Sequence, residues 1–279
     1  MIPAPFDYAR ASSVDEALVL LAEPGARALA GGHSLLPLMK LRFARPELVV
    51  DIGRLPLRGV ESSVVGALTT YRDLAGAAHL PAAARECAAA VGDVQVRNAG
   101  TVGGGIAHGD PASDLAAGVI ATGAMLRLRS ARGTRECAAE DFFVGPFTTL
   151  LAPPELLTEI VFPLEPARAG SAYVSVEHPA SGYALAGAAA SVTVNGSAIR
   201  ACRIGLTGAC PTPMRATAAE AVCIGREDVP SVRELREVFA DLDVVAGPSR
   251  GEYIRHLVAV VVSRAVARAH ARAERGDNG

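Results

Sequence analysis

Two glycine-rich segments decide how this chain is read: AGGHS, from Ala30 to Ser34, and GTVGGGIAHGDPASDL, from Gly100 to Leu115. Consecutive glycines remove Cβ atoms and permit positive φ, so successive backbone N–H groups can point into one concavity and hold phosphate oxygens. Neither segment is G-x-G-x-x-G. Counting on from Gly103 and Gly105, the third glycine position holds His108, which leaves a Rossmann reading without support. Alone, either segment reads first as a tight turn. Together, each leading into a helix-like run, they suggest a long diphosphate ligand clasped from two sides. Asp114, just beyond the second segment, is spaced to accept a hydrogen bond from a ribose hydroxyl.

Outward from these segments the chain parses into three stretches. In residues 1–55, SVDE (13–16) is a capping box, and Val14, Ala17, Leu18 and Leu21 follow at helical spacing until Pro24 and Gly25 stop the helix. ARALA (26–30) reads as a strand, HSLLPLMKLRF (33–43) as a helix with Pro37 in its first turn, and ELVVDI (47–52) as a second strand. This order predicts a small parallel unit with AGGHS at the strand-to-helix turn.

Over residues 56–167, SSVVGAL (62–68) reads as a strand, and TYRDLAGAA (70–78) and PAAARECAAAV (81–91) as helices. The second glycine segment follows as a loop. PASDLAAGVIATG (111–123) is then a helix with Pro111 near its first turn, AMLRLRS (124–130) pairs with RECAA (135–139) as a hairpin, and LLTEIVFP (156–163) closes the unit. The Pro-, Ala- and Gly-rich PLEPARAG (163–170) marks the next boundary. Residues 168–279 carry YVSVEHPASGYALAGAAASVTV (173–194), a hairpin turn at Asn195-Gly196 and SAIRACRIGLTGA (197–209). Three helices complete this stretch, over 217–225, 231–242 and 251–273, and the tail ERGDNG reads as disordered. No internal repeat is present.

Composition limits the function classes. Half of the 279 residues are apolar, and a chain of this size buries roughly 75% of the surface its unfolded form exposes. With 27 Lys+Arg against 29 Asp+Glu, the net charge of −2 gives no basic field for nucleic acid or anionic lipid. The start lacks the charged and apolar regions of a signal peptide, and HLVAVVV (256–262) is too short to span a bilayer, so a cytoplasmic location is expected. The five cysteines, Cys87, Cys137, Cys202, Cys210 and Cys223, contain no C-x-x-C pair, which argues for buried thiols over disulfides, zinc or an iron–sulfur cluster.

Two smaller motifs carry less. GPSRG (247–251) has the form of a nucleophile elbow, yet the only later Asp, Asp277, follows both His256 and His270. Ser249 and Glu252 read as a capping box for the last helix instead. His108, Asp110 and Asp114 could ligate a metal on paper, but such mixed residues in a loop are commonly turn and cap residues.

The chain resembles a known family: the flavin-carrying medium subunit of carbon monoxide dehydrogenase and related molybdenum hydroxylases, equivalent to the central FAD domain of xanthine dehydrogenase. The resemblance runs through MIPAPFDYARASSVDEAL, LAGGHSLLPLMKLRFARPELVVDI, VRNAGTVGGGIAHGDPASDL, PPELLTEIVFP, HPASGYALAGAAA and GEYIRHLVAVVVSRAVARA, almost the whole chain. It implies an α+β fold in which a two-subdomain PCMH-type FAD-binding domain (1–55 and 56–167) precedes a C-terminal domain (168–279) of antiparallel sheet plus helical bundle.

It also implies FAD as cofactor. Ala30, Gly31, Gly32, His33, Ser34 and Leu35 match the first FAD loop, with backbone amides and the Ser34 hydroxyl on phosphates, and Thr101, Val102, Gly103, Gly104 and Gly105 match the second. Asp114 matches the motif Asp on the ribose or adenine side, Leu157 a leucine at the adenine end, and Tyr183 the aromatic beside the isoalloxazine ring. From the residues alone Tyr183 reads equally as a core strand tyrosine. Ser175, Val176 and Glu177 stand where relatives often carry Lys or Arg. The implied partners are a molybdopterin-binding large subunit and a two-cluster iron–sulfur small subunit, in a dimer of heterotrimers whose FAD passes electrons to an external acceptor. The residues leave two alternatives: a self-sufficient flavoprotein, or a scaffold that has lost flavin.

Overall fold

The parallel unit predicted from the first stretch forms around the apolar strand Leu48–Asp51. The computed structural model describes residues 2–246 and 248–276, without the side chains of Pro248 and Ser249. In chain order the unit contains β1 (Asp7–Arg10), α1 (Val14–Leu21), β2 (Ala26–Leu29), α2 (Leu35–Lys40) and β3 (Leu48–Asp51). Both β1 and β2 pair with β3 in parallel, giving the order β1-β3-β2. Ser13 caps α1 through its hydroxyl, which accepts from the Glu16 N–H at 3.1 Å. The predicted box is only half formed, because the Glu16 carboxylate accepts instead from the Ser12 N–H and hydroxyl. α2 is shorter than predicted. It ends at Lys40, and Arg42 turns the chain at φ 63°.

The second stretch builds β4 (Val60–Glu61), β5 (Val64–Gly66), α3 (Tyr71–Ala75), α4 (Ala82–Ala90), α5 (Val94–Ala99), α6 (Val102–His108) and α7 (Asp114–Thr122). It continues with β6 (Met125–Ser130), β7 (Gly133–Ala138), α8 (Ala139–Phe142), β8 (Phe143–Gly145), β9 (Thr148–Thr149) and β10 (Leu156–Val161). The five-stranded sheet has the order β4-β5-β10-β6-β7. Three readings are corrected. Thr70 caps α3, which ends at Ala75 rather than continuing to Ala78. The glycine run 103–105 is not loop but the first half of α6. Pro111 lies in the turn before α7, which begins at Asp114 with all nine residues buried.

The third stretch is β11 (Ala169–Glu177), β12 (Ala184–Asn195), β13 (Ala198–Thr207), β14 (Met214–Arg215), α9 (Thr217–Cys223), α10 (Val232–Val238) and α11 (Pro248–Arg275). The antiparallel sheet β11-β12-β13-β14 turns at Asn195-Gly196 as predicted. α11 covers one face, and α4 and α7 cover the other. A strand buried on both faces loses the apolar-polar alternation of a half-exposed sheet, and the AGAAAS run of β12 shows that loss. Its Ala188 and Ala190 face the core shared with α11, and Ala189 faces the core shared with α7.

Helix α11 continues through Glu274 and Arg275, which the sequence places at the start of a disordered tail, while Asp277–Gly279 lie outside the described residues. Gly247 and the side chain of Ser249, parts of the GPSRG motif, lie outside them too, and Ser249 falls inside the first turn of α11. All five cysteines are buried and free. No described helix is long and apolar enough to cross a membrane.

Candidate functional site

A cleft of about 800 Å³ runs between the parallel unit and the rest of the chain, within the range of small-molecule and cofactor sites. Its walls include Ala30, Gly31, Gly32, His33, Ser34 and Leu35, then Thr101, Gly103, Gly104 and Gly105, then Asp114, Leu157 and Tyr183. Val102 is the exception among the predicted residues. It is fully buried, with its N–H donating to the Thr69 carbonyl at 2.9 Å.

The two glycine motifs differ in what they offer. Gly32 turns the first at φ 75°. From Gly31 to Leu35 no backbone N–H donates to a protein acceptor among the described residues, and the Ser34 hydroxyl has no partner either. An anion placed there meets several unpaired donors at once. In the second motif the amides are already used: Gly103 donates to the Ala67 carbonyl at 2.8 Å, Gly104 to the Thr101 hydroxyl at 3.3 Å and Gly105 to the Thr101 carbonyl at 3.0 Å. Its glycines serve close approach instead. A Cβ on Gly103 would overlap that of Ala67, and one on Gly105 would overlap the Tyr71 hydroxyl.

The motifs also touch each other. A Cβ on Gly31 would overlap the Ala99 carbonyl oxygen and lie 2.9 Å from the Gly100 Cα. A Cβ on Gly104 would stand 3.7 Å from that of Ala30. The cradle is thus a groove of bare backbone shared by two lobes.

Charge in the cleft runs against side-chain recognition of phosphate. Arg27 is its one Lys or Arg among the described residues, against Asp93, Asp110, Asp114 and Glu155. The backbone dipoles of the first loop therefore carry the attraction for an anion.

Also on the cleft wall, the His108 and Phe147 rings lie 5.3 Å apart at 54°. Burial lowers the His108 pKa, and Asp110 partly opposes it. Tyr183 is 55% exposed and follows a turn before β12, so it is a wall of the cleft and not a core strand residue. Tyr71, Phe147 and Gly182 also line the cleft, and nothing in the sequence singles them out. Tyr71 looks there like an ordinary apolar position of a short helix, and Phe147 like a loop residue. No group of three or more His, Cys, Asp or Glu side chains could hold a metal ion among the described residues, which removes His108, Asp110 and Asp114 as a ligand set.

Asp114 opens α7 and is only 8% exposed, and its Oδ1 accepts a hydrogen bond from the Tyr173 hydroxyl. Burial pushes its pKa from 3.8 to about 6, although the Tyr173 bond pulls the other way. Between those two pH values the folded chain holds more protons than the unfolded one, so this group's contribution to stability is full below pH 3.8 and lost as pH rises through about 6. Asp114→Asn keeps an oxygen for Tyr173 and removes the charge. The ligand-free variant should gain on the order of 3 kcal/mol at pH 8 and nothing near pH 3.5, read by urea unfolding. A gain independent of pH would contradict the assignment.

The unpaired amides, the bare groove and the adjoining apolar and aromatic walls fit a flavin dinucleotide: donors for a diphosphate and flat surfaces for rings. Comparison with known proteins agrees. Residues 4–165 match the family described as the FAD binding domain in molybdopterin dehydrogenase, and residues 171–269 match the CO dehydrogenase flavoprotein C-terminal domain. The carbon monoxide dehydrogenase medium chain of Afipia carboxidovorans is 39% identical over 98% of this chain and 100% of its own length. Caffeine dehydrogenase subunit beta of a Pseudomonas species is 34% identical over 96% of both. The solved carbon monoxide dehydrogenase of Hydrogenophaga pseudoflava superposes with a TM-score of 0.90 at 40% identity, covering 98% of this chain and 99% of the matched one. Sequence, fold and cleft together place this chain among the FAD-binding medium subunits of the carbon monoxide dehydrogenase family of molybdenum hydroxylases, as a flavoprotein subunit of an oxidoreductase.

Proposed function

We propose that the chain is the flavin relay of a three-subunit molybdenum hydroxylase. It takes electrons from the clusters of a two-cluster iron–sulfur small subunit, fed by a molybdopterin-binding large subunit, and passes them to an external acceptor. The row of unpaired backbone amides from Gly31 to Leu35, in a cleft closed by the second glycine motif, carries this reading. Bound FAD supplies the electron-accepting chemistry, and the chain supplies binding, orientation and electrostatics.

Each residue then has a physical role. The amides of Gly31 to Leu35 and the Ser34 hydroxyl hold the diphosphate. Thr101 presents its hydroxyl from the other lobe, and Gly103, Gly104 and Gly105 let backbone approach without side chains. Asp114 accepts from a sugar hydroxyl through the oxygen that Tyr173 leaves open. Leu157, 6% exposed on β10, gives the adenine an apolar wall. Tyr183 covers one face of the isoalloxazine ring.

The test compares the purified chain with the reconstituted three-subunit complex under one substrate and acceptor. The chain alone should bind FAD and reduce artificial dyes with a strong donor, while substrate turnover appears only in the complex. Comparable turnover by the chain alone would remove the relay and make it a self-sufficient flavoenzyme. Failure to take up FAD would revive a scaffold that has lost its flavin.

A further inference from the structure

Two hydroxyls of the C-terminal sheet leave their own sheet and reach the wall of the cleft. Tyr173 on β11 is 4% exposed, and its hydroxyl donates to Asp114 Oδ1. Thr207, at the end of β13, is fully buried, with its Oγ1 2.8 Å from the Pro111 carbonyl and 2.9 Å from that of Ser113. One hydroxyl proton serves these two acceptors. The next residue, Gly208, donates its N–H to the Pro111 carbonyl at 2.8 Å. Neither Tyr173 nor Thr207 lines the cleft, whereas Asp110, Ala112, Ser113 and Asp114 do.

The rest of the contact is equally tight. A Cβ on Gly205 of β13 would overlap the Ala117 carbonyl oxygen, so the backbone of α7 lies directly on the strand with no side chain between them. The segment from Pro111 to Asp114 is therefore pinned from one side, by residues far away in sequence.

We propose that Tyr173 and Thr207 are positioning residues for the cofactor cleft, through which the C-terminal sheet holds Pro111–Asp114 and the Asp114 carboxylate in their binding geometry. This rests on the FAD reading above. Tyr173 commits Oδ1 and so leaves Oδ2 for the ligand. Thr207 fixes the two carbonyls that precede the carboxylate and thereby sets where it stands. If these anchors are lost, the segment spends part of its time elsewhere, and apparent affinity falls with the fraction of chains that remain competent. By linkage, bound FAD must in turn stabilise the anchored geometry.

The experiment uses the full chain with Tyr173→Phe and Thr207→Val, and with Thr207→Ser as the conservative control. FAD affinity is read by fluorescence quenching during titration, and amide hydrogen exchange at residues 112–116 is read in the ligand-free proteins. Both Tyr173→Phe and Thr207→Val should keep native circular dichroism, weaken FAD at least tenfold and speed exchange at 112–116 at least tenfold. Thr207→Ser should stay within twofold of the parent in both. Unchanged exchange in the two disruptive variants would overturn the proposal whether or not FAD binds. Faster exchange with unchanged FAD affinity would overturn the cofactor half of it. A parent chain that fails to bind FAD would sink the flavin reading, while the exchange data would still decide whether the sheet positions the segment. If Thr207→Val does not fold, Tyr173→Phe, which keeps the ring, decides between these outcomes by itself.

Discussion

Replacing Gly104 with valine should yield a folded protein that no longer retains FAD, with affinity lowered at least a hundredfold. The position is selective because a Cβ there meets little of the protein: the Thr101 hydroxyl at 2.6 Å, and then nothing nearer than the Ala30 Cβ at 3.7 Å. The Thr101 hydroxyl can rotate away at the cost of its bond to the Gly104 N–H, a cap worth about 1 kcal/mol. Valine recovers a few tenths of a kcal/mol because glycine is the poorer helix former. The branched side chain then fills space between the two motifs, where a diphosphate has to approach bare backbone. The ratio of bound flavin to protein after gel filtration, together with a thermal midpoint near the parent's, is the measurement. Normal FAD content in the variant would remove the diphosphate from this groove.

Gly31→Ala should behave differently, losing stability and flavin together. Its Cβ would overlap a carbonyl oxygen of Ala99 and press on the Gly100 Cα, and both are backbone atoms that cannot swing aside. Either the first loop or the α5–α6 junction must move. Overpacking of this kind costs about 1–3 kcal/mol, which lowers the thermal midpoint of a chain this size by roughly 2–5 °C. Because the displaced loop carries the unpaired amides, FAD affinity should fall at least a hundredfold as well. An alanine variant with unchanged midpoint and flavin content would mean that the two lobes do not interlock through Gly31. The contrast between these two glycines separates a residue that makes room for ligand from one that makes room for the other lobe.

Much of the architecture was legible in the order of residues because it is encoded locally. The alternation of apolar strand, glycine turn and amphipathic helix specified the parallel unit around AGGHS. Asn195-Gly196 specified a hairpin, and the apolar periodicity of 251–273 specified α11. The pairing of the two glycine segments pointed to a diphosphate cleft before any geometry was known, since each alone reads as a tight turn and only the pair suggests one long ligand held from two sides. The two-subdomain architecture and FAD as the cofactor came from the family resemblance that these motifs carry.

What escaped it depends on residues distant along the chain. Three glycines in a row disfavour a helix by about 1 kcal/mol each relative to alanine, so 103–105 read as a loop. They lie in α6 all the same, where Gly103 and Gly105 sit so close to Ala67 and Tyr71 that a Cβ at either position would overlap them. Val102 matched the motif yet points into the core. α5 buries none of its side chains and is held at its start by Asp93, whose Oδ1 accepts from the N–H groups of Gln95 and Val96 at 2.9 Å, so no apolar stripe announced it. Tyr183 could have been core or cleft wall, and Asp114 gave no hint of Tyr173, because exposure and pairing are properties of neighbours brought together by folding. Local propensity and turn chemistry determined the elements and the kind of ligand. Only tertiary packing decided which amides stay unpaired, which glycines hold the lobes together and which distant hydroxyls secure the wall of the cleft, since each is set by contacts between segments that no local pattern records.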